Sequence, residues 1–136
     1  MSDLSEPLHG RAADGTITIT TSDHGPVTVS EPAWCTGQYH QAGGARVDIT
    51  HTSVDIPFNL DVGDGPITVM RAVFEQRPFT ELTPGRAVFV NVELDGDWTP
   101  CTVRQLNQLA AGLAMHPMHL RTLATQLADL LAGGGQ

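Results

Sequence analysis

The amino-acid sequence predicts an α+β fold, an antiparallel sheet of five or six short strands followed by a kinked C-terminal helix or two helices in line. Two observations support this prediction. Apolar and polar residues alternate in several short segments up to residue 94, which is the pattern of strands with one buried face. From residue 106 onward, leucines recur every three or four positions, which is the pattern of an amphipathic helix.

The chain length and the two termini indicate how many domains to expect and where the domain begins and ends. A chain of 136 residues is long enough to form one domain with its own core. We expect a disordered tail over residues 1–14, a single domain over residues 15–132 and a flexible tail over residues 133–136. No apolar run approaches the ~18 residues that cross a membrane, and the N-terminus lacks the pattern of a secretory signal. The sequence therefore predicts a cytoplasmic protein without a disulfide.

The net charge of −8 is unevenly distributed along the chain. Residues 1–97 hold fourteen acidic residues and five arginines, whereas residues 98–136 hold one acidic residue and two arginines. Binding to a phosphate backbone requires clustered cations, so this balance argues against a nucleic-acid partner. It favours solubility or a basic protein partner. The near-neutral C-terminal segment is unusual for a surface helix and indicates burial or an interface.

Residues 16–30 predict the first two strands, joined as a hairpin. Isoleucines and valines alternate with threonines and a serine on both arms, and the residues of Ser22–Gly25 favour a tight turn between them. Four more strands are expected, with a turn after the second of them and Arg77-Pro78 ending the third. They cover residues 46–50, 54–60, 67–76 and 86–94.

The C-terminal leucine repeat predicts a helix with two plausible starts. Thr99 can cap it with Pro100 at the first helical position, or Thr102 can cap it with Gln105. Pro117 must kink or break the helix, but the apolar repeat keeps its phase across it, which favours a kink over a hairpin. About 30 helical residues would span about 45 Å at 1.5 Å per residue, more than a small sheet covers. We therefore expect residues 103–132 to form a homodimer or to bind a protein partner.

Cys35, His40 and His51 form the clearest candidate site. Cysteine and histidine are zinc ligands, and a loop that contains Gly37 could bring Cys35 and His40 onto one ion. His51 could supply a third ligand. Asp48 could be the fourth ligand, or it could orient a histidine that binds the metal. The sequence thus predicts a structural zinc site in the segment 34–51.

His24 is an alternative fourth ligand. A straight strand would carry it about 23 Å from residue 31, at about 3.3 Å per residue. Residues 32–35 can return at most about 14 Å, which leaves about 9 Å between the two Cα atoms. His24 can therefore share the ion only if the hairpin bends or if it comes from a second chain.

Two other interpretations of this segment stay open. Trp34 and Cys35 could simply be core residues, since unpaired cysteine is among the most buried residue types. Alternatively, Cys35 could be a reactive thiol, or one zinc position could be open, in a hydrolase centred on Cys35, His40 and His51.

Two further features have mainly structural explanations. The segment Met115–His119 contains two methionines and two histidines, a soft set that could bind copper, but methionine also fills gaps beside a proline kink. Cys101 is expected near a helix start, where the helix dipole would lower the pKa of its thiol. Both are more readily explained by packing.

Several short motifs together resemble a small domain family of unknown function from actinobacteria. They include a DHG turn, a WCxG segment with a following histidine and a DxxH pair, at Thr21–Gly25, Glu31–Gly37, Asp48–His51, Gln76–Phe79, Thr99-Pro100 and Leu123–Ala128. The resemblance covers about residues 15–132. It implies a common motif set made of Asp23, His24, Cys35, Asp48 and His51.

The sequence thus predicts a small acidic cytoplasmic protein that binds or regulates a partner and has no enzymatic activity. A zinc site in the segment 34–51 would stabilise it. The metal- or cysteine-dependent hydrolase remains the alternative. Neither a nucleic acid nor a membrane is an expected partner.

Overall fold

A computed structural model describes residues 11–133. The predicted tails fall partly outside this range, at residues 1–10 and 134–136. Residues 11–14 lead into the first strand, and the Arg11 guanidinium donates hydrogen bonds to the carbonyl oxygens of Pro32 (3.0 Å) and Cys35 (3.2 Å). The chain divides into two compact units between Thr102 and Val103. Within residues 11–133, no helix has the length and apolarity that a membrane span needs.

The predicted hairpin is confirmed. Strands β1 (Thr16–Thr21) and β2 (Gly25–Ser30) pair antiparallel, with Thr16 opposite Ser30. Alternation directs Ile17, Ile19 and Val29 to one face, where they form a buried cluster with Ile49. Val27 and Phe79 pack against this cluster, which is the core of the hairpin layer.

A five-stranded antiparallel sheet forms the rest of the first unit. The central strand β5 (Pro66–Gln76) pairs along one edge with β3 (His51–Thr52) and β4 (Ile56–Asp61), and along the other edge with β6 (Phe89–Leu94). β5 ends immediately before Arg77-Pro78, as the sequence predicts, because proline has no N–H for the ladder.

The last strand, β7 (Asp97–Cys101), pairs with β6 and was not expected. The alternative in which Thr99 caps a helix is therefore wrong. Cys101 is the last residue of β7 and lies two residues before Val103, the first residue of the helix that follows. Pro100 is tolerated because β7 is the edge of the sheet, where a missing backbone donor costs little. Asp95 and Gly96 join β6 to β7 with positive φ angles of 53° and 85°, the geometry of a tight hairpin turn.

The predicted strand over residues 46–50 is also wrong, since none of these residues lies in a strand. Arg46–Asp48 forms a single turn of 3₁₀ helix instead, and the backbone becomes a strand only at His51. Contacts with the hairpin turn and with Phe79 explain the difference. The Asp23 carboxylate accepts a hydrogen bond of 2.9 Å from the Arg46 backbone N–H, and the Arg46 guanidinium lies 4.0 Å from the centre of the Phe79 ring.

The second unit is a bent helix, which completes the predicted α+β architecture. Helix α1 (Val103–Leu113) begins directly after Thr102, and α2 (Pro117–Ala132) begins at the proline that interrupts the repeat. At the junction, the N–H groups of Met115 and His116 bond to carbonyls three residues back, because Pro117 cannot donate the next bond. The predicted interruption at Pro117 is therefore confirmed.

Candidate metal centre

Glu31 enters the site directly from strand β2. Its side chain follows those of Val27 and Val29 at intervals of two, and in an extended chain such residues share a face. The inward face of the hairpin thus delivers a carboxylate whose side chain is fully buried. A buried carboxylate requires charged or hydrogen-bonding partners, which two histidines and a cysteine provide here.

A tight turn positions Cys35 beside this carboxylate. The Cys35 N–H bonds to the Pro32 carbonyl (3.0 Å), and the Thr36 N–H bonds to the Thr52 carbonyl of β3 (2.9 Å). Gly37 has a φ of +76°, a conformation that favours glycine, and its N–H points at the Cys35 sulfur at 3.3 Å. The turn therefore offers a backbone donor to the Cys35 sulfur.

The two histidines complete the cluster. His40 Nε2 lies 3.0 Å from each Glu31 carboxylate oxygen and 3.7 Å from the Cys35 sulfur. His51 Nδ1 lies 2.7 Å from Glu31 Oε1, but the angle is not that of a hydrogen bond. The rings of His40 and His51 meet edge to face, with centroids 5.4 Å apart.

The four side chains are close together and buried. One ligand atom from each of Glu31, Cys35, His40 and His51 lies within 4.8 Å of the other three. The side chains of His40 and His51 are 4% and 2% exposed. One oxygen, one sulfur and two imidazole nitrogens are a donor set that could hold a metal ion.

The charges of the site follow from burial and hydrogen bonding. Burial alone would raise the pKa of Glu31, but its hydrogen bond to His40, the charge of that histidine and the Cys35 thiol lower it. Burial lowers the pKa of His51 and outweighs the attraction of the Glu31 carboxylate. Burial also raises the pKa of Cys35, against hydrogen bonds from the Thr52 and Gly37 backbone. A coordinated cation would reverse this last effect by stabilising the thiolate.

The structure brings together three of the predicted ligands, Cys35, His40 and His51. Asp48 is exposed in the 3₁₀ turn and is not a member of the group. His24 lies in the hairpin turn, where its Nδ1 is 3.1 Å from the Asp23 carboxylate and its side chain is 51% exposed. The fourth member of the group is Glu31 instead.

Sequence reasoning missed Glu31, although the sequence contains a signal for it. The alternation that predicts buried Val27 and Val29 also places residue 31 on the same face. An acidic residue at that position, four residues before a cysteine, must be neutralised by a partner or by an ion. Extending the strand pattern by one step would have identified it.

The two other candidates, the segment Met115–His119 and Cys101, lie outside this group. His116 and His119 lie in the second unit with their Nδ1 atoms 3.3 Å apart, and both are exposed. Cys101 is buried at the end of β7, where its thiol donates to the Thr99 carbonyl oxygen at 3.5 Å.

Comparisons with known proteins give a family but no activity. Neither the curated proteins nor the solved structures include a significant match. The expected motif set and the actinobacterial source stay predictions. A family model described as a domain of unknown function, DUF6907, matches residues 16–129. Because this match covers most of the chain, the protein belongs to the DUF6907 family.

Proposed function

We propose that Glu31, Cys35, His40 and His51 bind a structural zinc ion, and that the protein is a non-enzymatic binding or regulatory module of the cytoplasm. The observation that carries this proposal is the convergence of four buried ligand atoms within 4.8 Å. Zinc in structural sites takes four protein ligands in a tetrahedron, and nitrogen, sulfur and carboxylate oxygen are its usual donors.

The spacing of the atoms fits this geometry. Bonds of about 2.1 Å to nitrogen and about 2.3 Å to sulfur separate these two ligands by about 3.6 Å in a tetrahedron. The distance between His40 Nε2 and the Cys35 sulfur is 3.7 Å. The nitrogen–oxygen distances of 2.7 and 3.0 Å are shorter than the about 3.4 Å that bonds of about 2.1 Å to both atoms require in a tetrahedron. Movements of a few tenths of an ångström would therefore accommodate the ion.

Burial favours a structural ion over a catalytic one. A catalytic zinc site keeps a position open for water or substrate, whereas here four protein ligands would fill the tetrahedron. Cys35 is 5% exposed and its pKa is raised by burial, which is unfavourable for a thiol nucleophile. The hydrolase alternative therefore has less support.

The ion would have a mechanical role. Glu31 ends the hairpin, Cys35 and His40 belong to the loop that follows, and His51 begins β3. One ion on these residues would tie both ends of a 21-residue segment, residues 31–51, to the sheet. Closing loops of this length with a cross-link lowers the entropy of the unfolded chain and so stabilises the fold.

Metal analysis of the protein purified without added zinc tests the proposal. We expect about one zinc ion per chain, and we expect Cys35→Ser to lose it together with thermal stability. Cys101→Ser is the matched control, because Cys101 is equally buried but lies outside the cluster. A purified protein that contains no metal and takes up none from solution would refute the proposal.

We further propose that residues 103–132 form the interface of a homodimer. Leu120, Leu123, Leu127 and Leu130 follow one stripe of α2, and they are 69%, 59%, 56% and 56% exposed. Their spacing of three, four and three residues is that of a coiled-coil seam. This segment is nearly neutral in an otherwise acidic chain, so two copies can meet here without strong repulsion.

The stripe is symmetric about residue 125, which favours an antiparallel pair. In that orientation Leu120 of each copy lies opposite Leu130 of the other copy. Leu123 of each copy likewise lies opposite Leu127 of the other. Such self-complementarity is what a two-fold symmetric dimer requires. Light scattering of the purified chain should give the mass of a dimer at micromolar concentration, and a monomer would overturn this proposal.

A further inference from the structure

A cavity of about 420 Å³ lies on the face of β3 opposite to that of His51. Its floor is one face of the five-stranded sheet. Thr52 of β3 pairs with Glu75 of β5, and Val73 of β5 pairs with Asn91 of β6, so these side chains point the same way. A rigid sheet thus forms the floor of a concavity of the size that small ligands occupy.

The wall of the cavity combines aromatic rings with carboxylates. Tyr39 and Trp98 are 55% and 44% exposed at its border, and Asp48 and Asp55 are both exposed there. The rings of tyrosine and tryptophan offer apolar faces to the body of a ligand, and the carboxylates attract a cation. The border is therefore suited to a positively charged ligand with an apolar body.

Among residues 11–133, Arg77 is the single cation that lines the cavity, and it is already engaged by the floor. The Arg77 guanidinium donates to Glu75 Oε2 from Nε at 2.8 Å, and its Nη2 lies 2.6 Å from the same oxygen. The Asn91 amide donates to Glu75 Oε1 at 3.2 Å. Asn91 Oδ1 is then left as a buried acceptor without a hydrogen bond, which is uncommon in folded proteins. Since Arg77 neutralises Glu75, the charge available to a ligand is that of Asp48 and Asp55.

Asp55 also faces Arg71, but this pair is weak. The two side chains are 56% and 47% exposed, and the shortest distance between their charged groups is 4.0 Å. Exposed pairs of this kind contribute little and break readily. Asp55 is therefore available to a competing cation.

We propose that this cavity binds a small organic amine in its protonated form, with the ring-bearing body against Trp98 and Tyr39 and the ammonium group near Asp48 and Asp55. This proposal depends on the proposed function in one respect. The segment 31–51, which the zinc ion would fix in place, contributes Tyr39 and Asp48 to the cavity. The zinc site would then shape the wall of the binding cavity.

Titration of the full chain with phenethylamine, followed by backbone and indole N–H resonances, tests the proposal. Phenylacetate and 2-phenylethanol are the matched probes, because they have nearly the same body with a negative charge or none. We expect saturable shifts at Thr52, Asn91 and Trp98 with phenethylamine alone. Equal shifts with either matched probe, or no saturable shift with the amine, would overturn the proposal.

Two double variants localise the binding. Asp48→Asn with Asp55→Asn should weaken phenethylamine binding about five- to tenfold, since two charge contacts are lost. Asp61→Asn with Asp64→Asn makes the same change in net charge outside the cavity, and should leave the affinity within about twofold. An equal loss of phenethylamine affinity in the two double variants would show that only the overall charge of the protein matters, and it would overturn the proposal.

Metal content is measured on the same samples, so that the two proposals fail separately. Protein that contains zinc but does not bind the amine would refute the cavity proposal alone. Protein that binds the amine but contains and accepts no metal would refute the zinc proposal alone.

Discussion

His51 and Thr52 are consecutive residues of β3 that face opposite sides of the sheet: His51 Nδ1 lies 2.7 Å from the Glu31 carboxylate, whereas Thr52 lines the cavity. Backbone contacts strengthen this connection, since the Thr52 carbonyl accepts from the N–H of Thr36, beside Cys35. A two-residue strand thus joins the candidate metal centre to the candidate binding site.

We expect Glu31 rather than Asp48 to be the fourth ligand. Glu31→Gln should remove zinc and lower the free energy of unfolding by about 3 kcal/mol, as does the loss of one partner from a buried charge pair. Asp48→Asn changes an exposed side chain and should keep the metal, with a change within about 0.5 kcal/mol. Metal analysis and urea unfolding of the two variants decide between them. The reverse result would restore the ligand set expected from the sequence.

The turn at Gly37 should resist substitution. Gly37→Ala introduces a side chain at a φ of +76°, a conformation that costs about 1–2 kcal/mol for other residues, and we expect a loss of that size in urea unfolding. Gly44→Ala is the control, because Gly44 has no positive φ and a Cβ there meets only the Gln41 carbonyl oxygen at 4.0 Å. If both variants unfold alike, the Gly37 conformation is not important for stability.

The metal-free protein should be most stable between mildly acidic and mildly alkaline pH. The pKa of His51 lies below its ordinary value of 6.5, so the unfolded chain takes up this proton first on acidification, and stability falls below about pH 6.5. The pKa of Glu31 is lowered from its ordinary value of 4.5, so the loss of stability continues below about pH 4.5. The pKa of Cys35 lies above its ordinary 9.0, so stability also falls above about pH 9 as the unfolded thiol ionises.

Urea unfolding of chelator-treated protein across this pH range measures the effect. Cys35→Ser should lose most of the alkaline decline and keep the acidic one, since serine does not ionise there. An alkaline decline that is unchanged in Cys35→Ser would contradict the assignment.

The proposed dimer predicts which positions can be cross-linked. In an antiparallel pair centred on residue 125, two copies of residue 120 lie about 15 Å apart along the helix, too far for a disulfide. Leu120→Cys alone should therefore not cross-link, whereas its mixture with Leu130→Cys should give a mixed dimer on oxidation. Efficient cross-linking of Leu120→Cys to itself would indicate a parallel pair. The parent chain, whose two cysteines are buried, controls for other disulfides.

Substitution of the seam should separate the subunits. Leu123→Glu with Leu127→Glu places four negative charges across the proposed interface and should give a monomer in light scattering. Thr122→Glu with Thr125→Glu adds the same charge to the other side of α2 and should leave the mass unchanged. Dimers that persist in the first variant would exclude this interface.

The local sequence pattern was sufficient to predict secondary structure where one physical rule dominates. The alternation in residues 16–30 predicted the β1–β2 hairpin, because a strand with one buried face leaves few other arrangements. Pro117 predicted the interruption between α1 and α2, because a proline inside a helix removes a backbone hydrogen bond and kinks or breaks the helix. Local pattern failed at Thr99-Pro100, where the same two residues suit a helix cap and an edge strand, and pairing with β6 decided for the strand.

The sequence alone determined the α+β architecture, the hairpin and three members of the cluster, because periodicity and metal-ligand chemistry depend on residue types and short spacings. The tertiary structure decided the fourth member. Asp48 is nearer to His51 along the chain, but a 3₁₀ turn held by Asp23 leaves it exposed. Glu31 is distant in sequence from His51, yet the β1–β2 hairpin and the pairing of β3 with β5 place both around one point. Which carboxylate reaches that point depends on long-range contacts, and those are formed only when the chain folds.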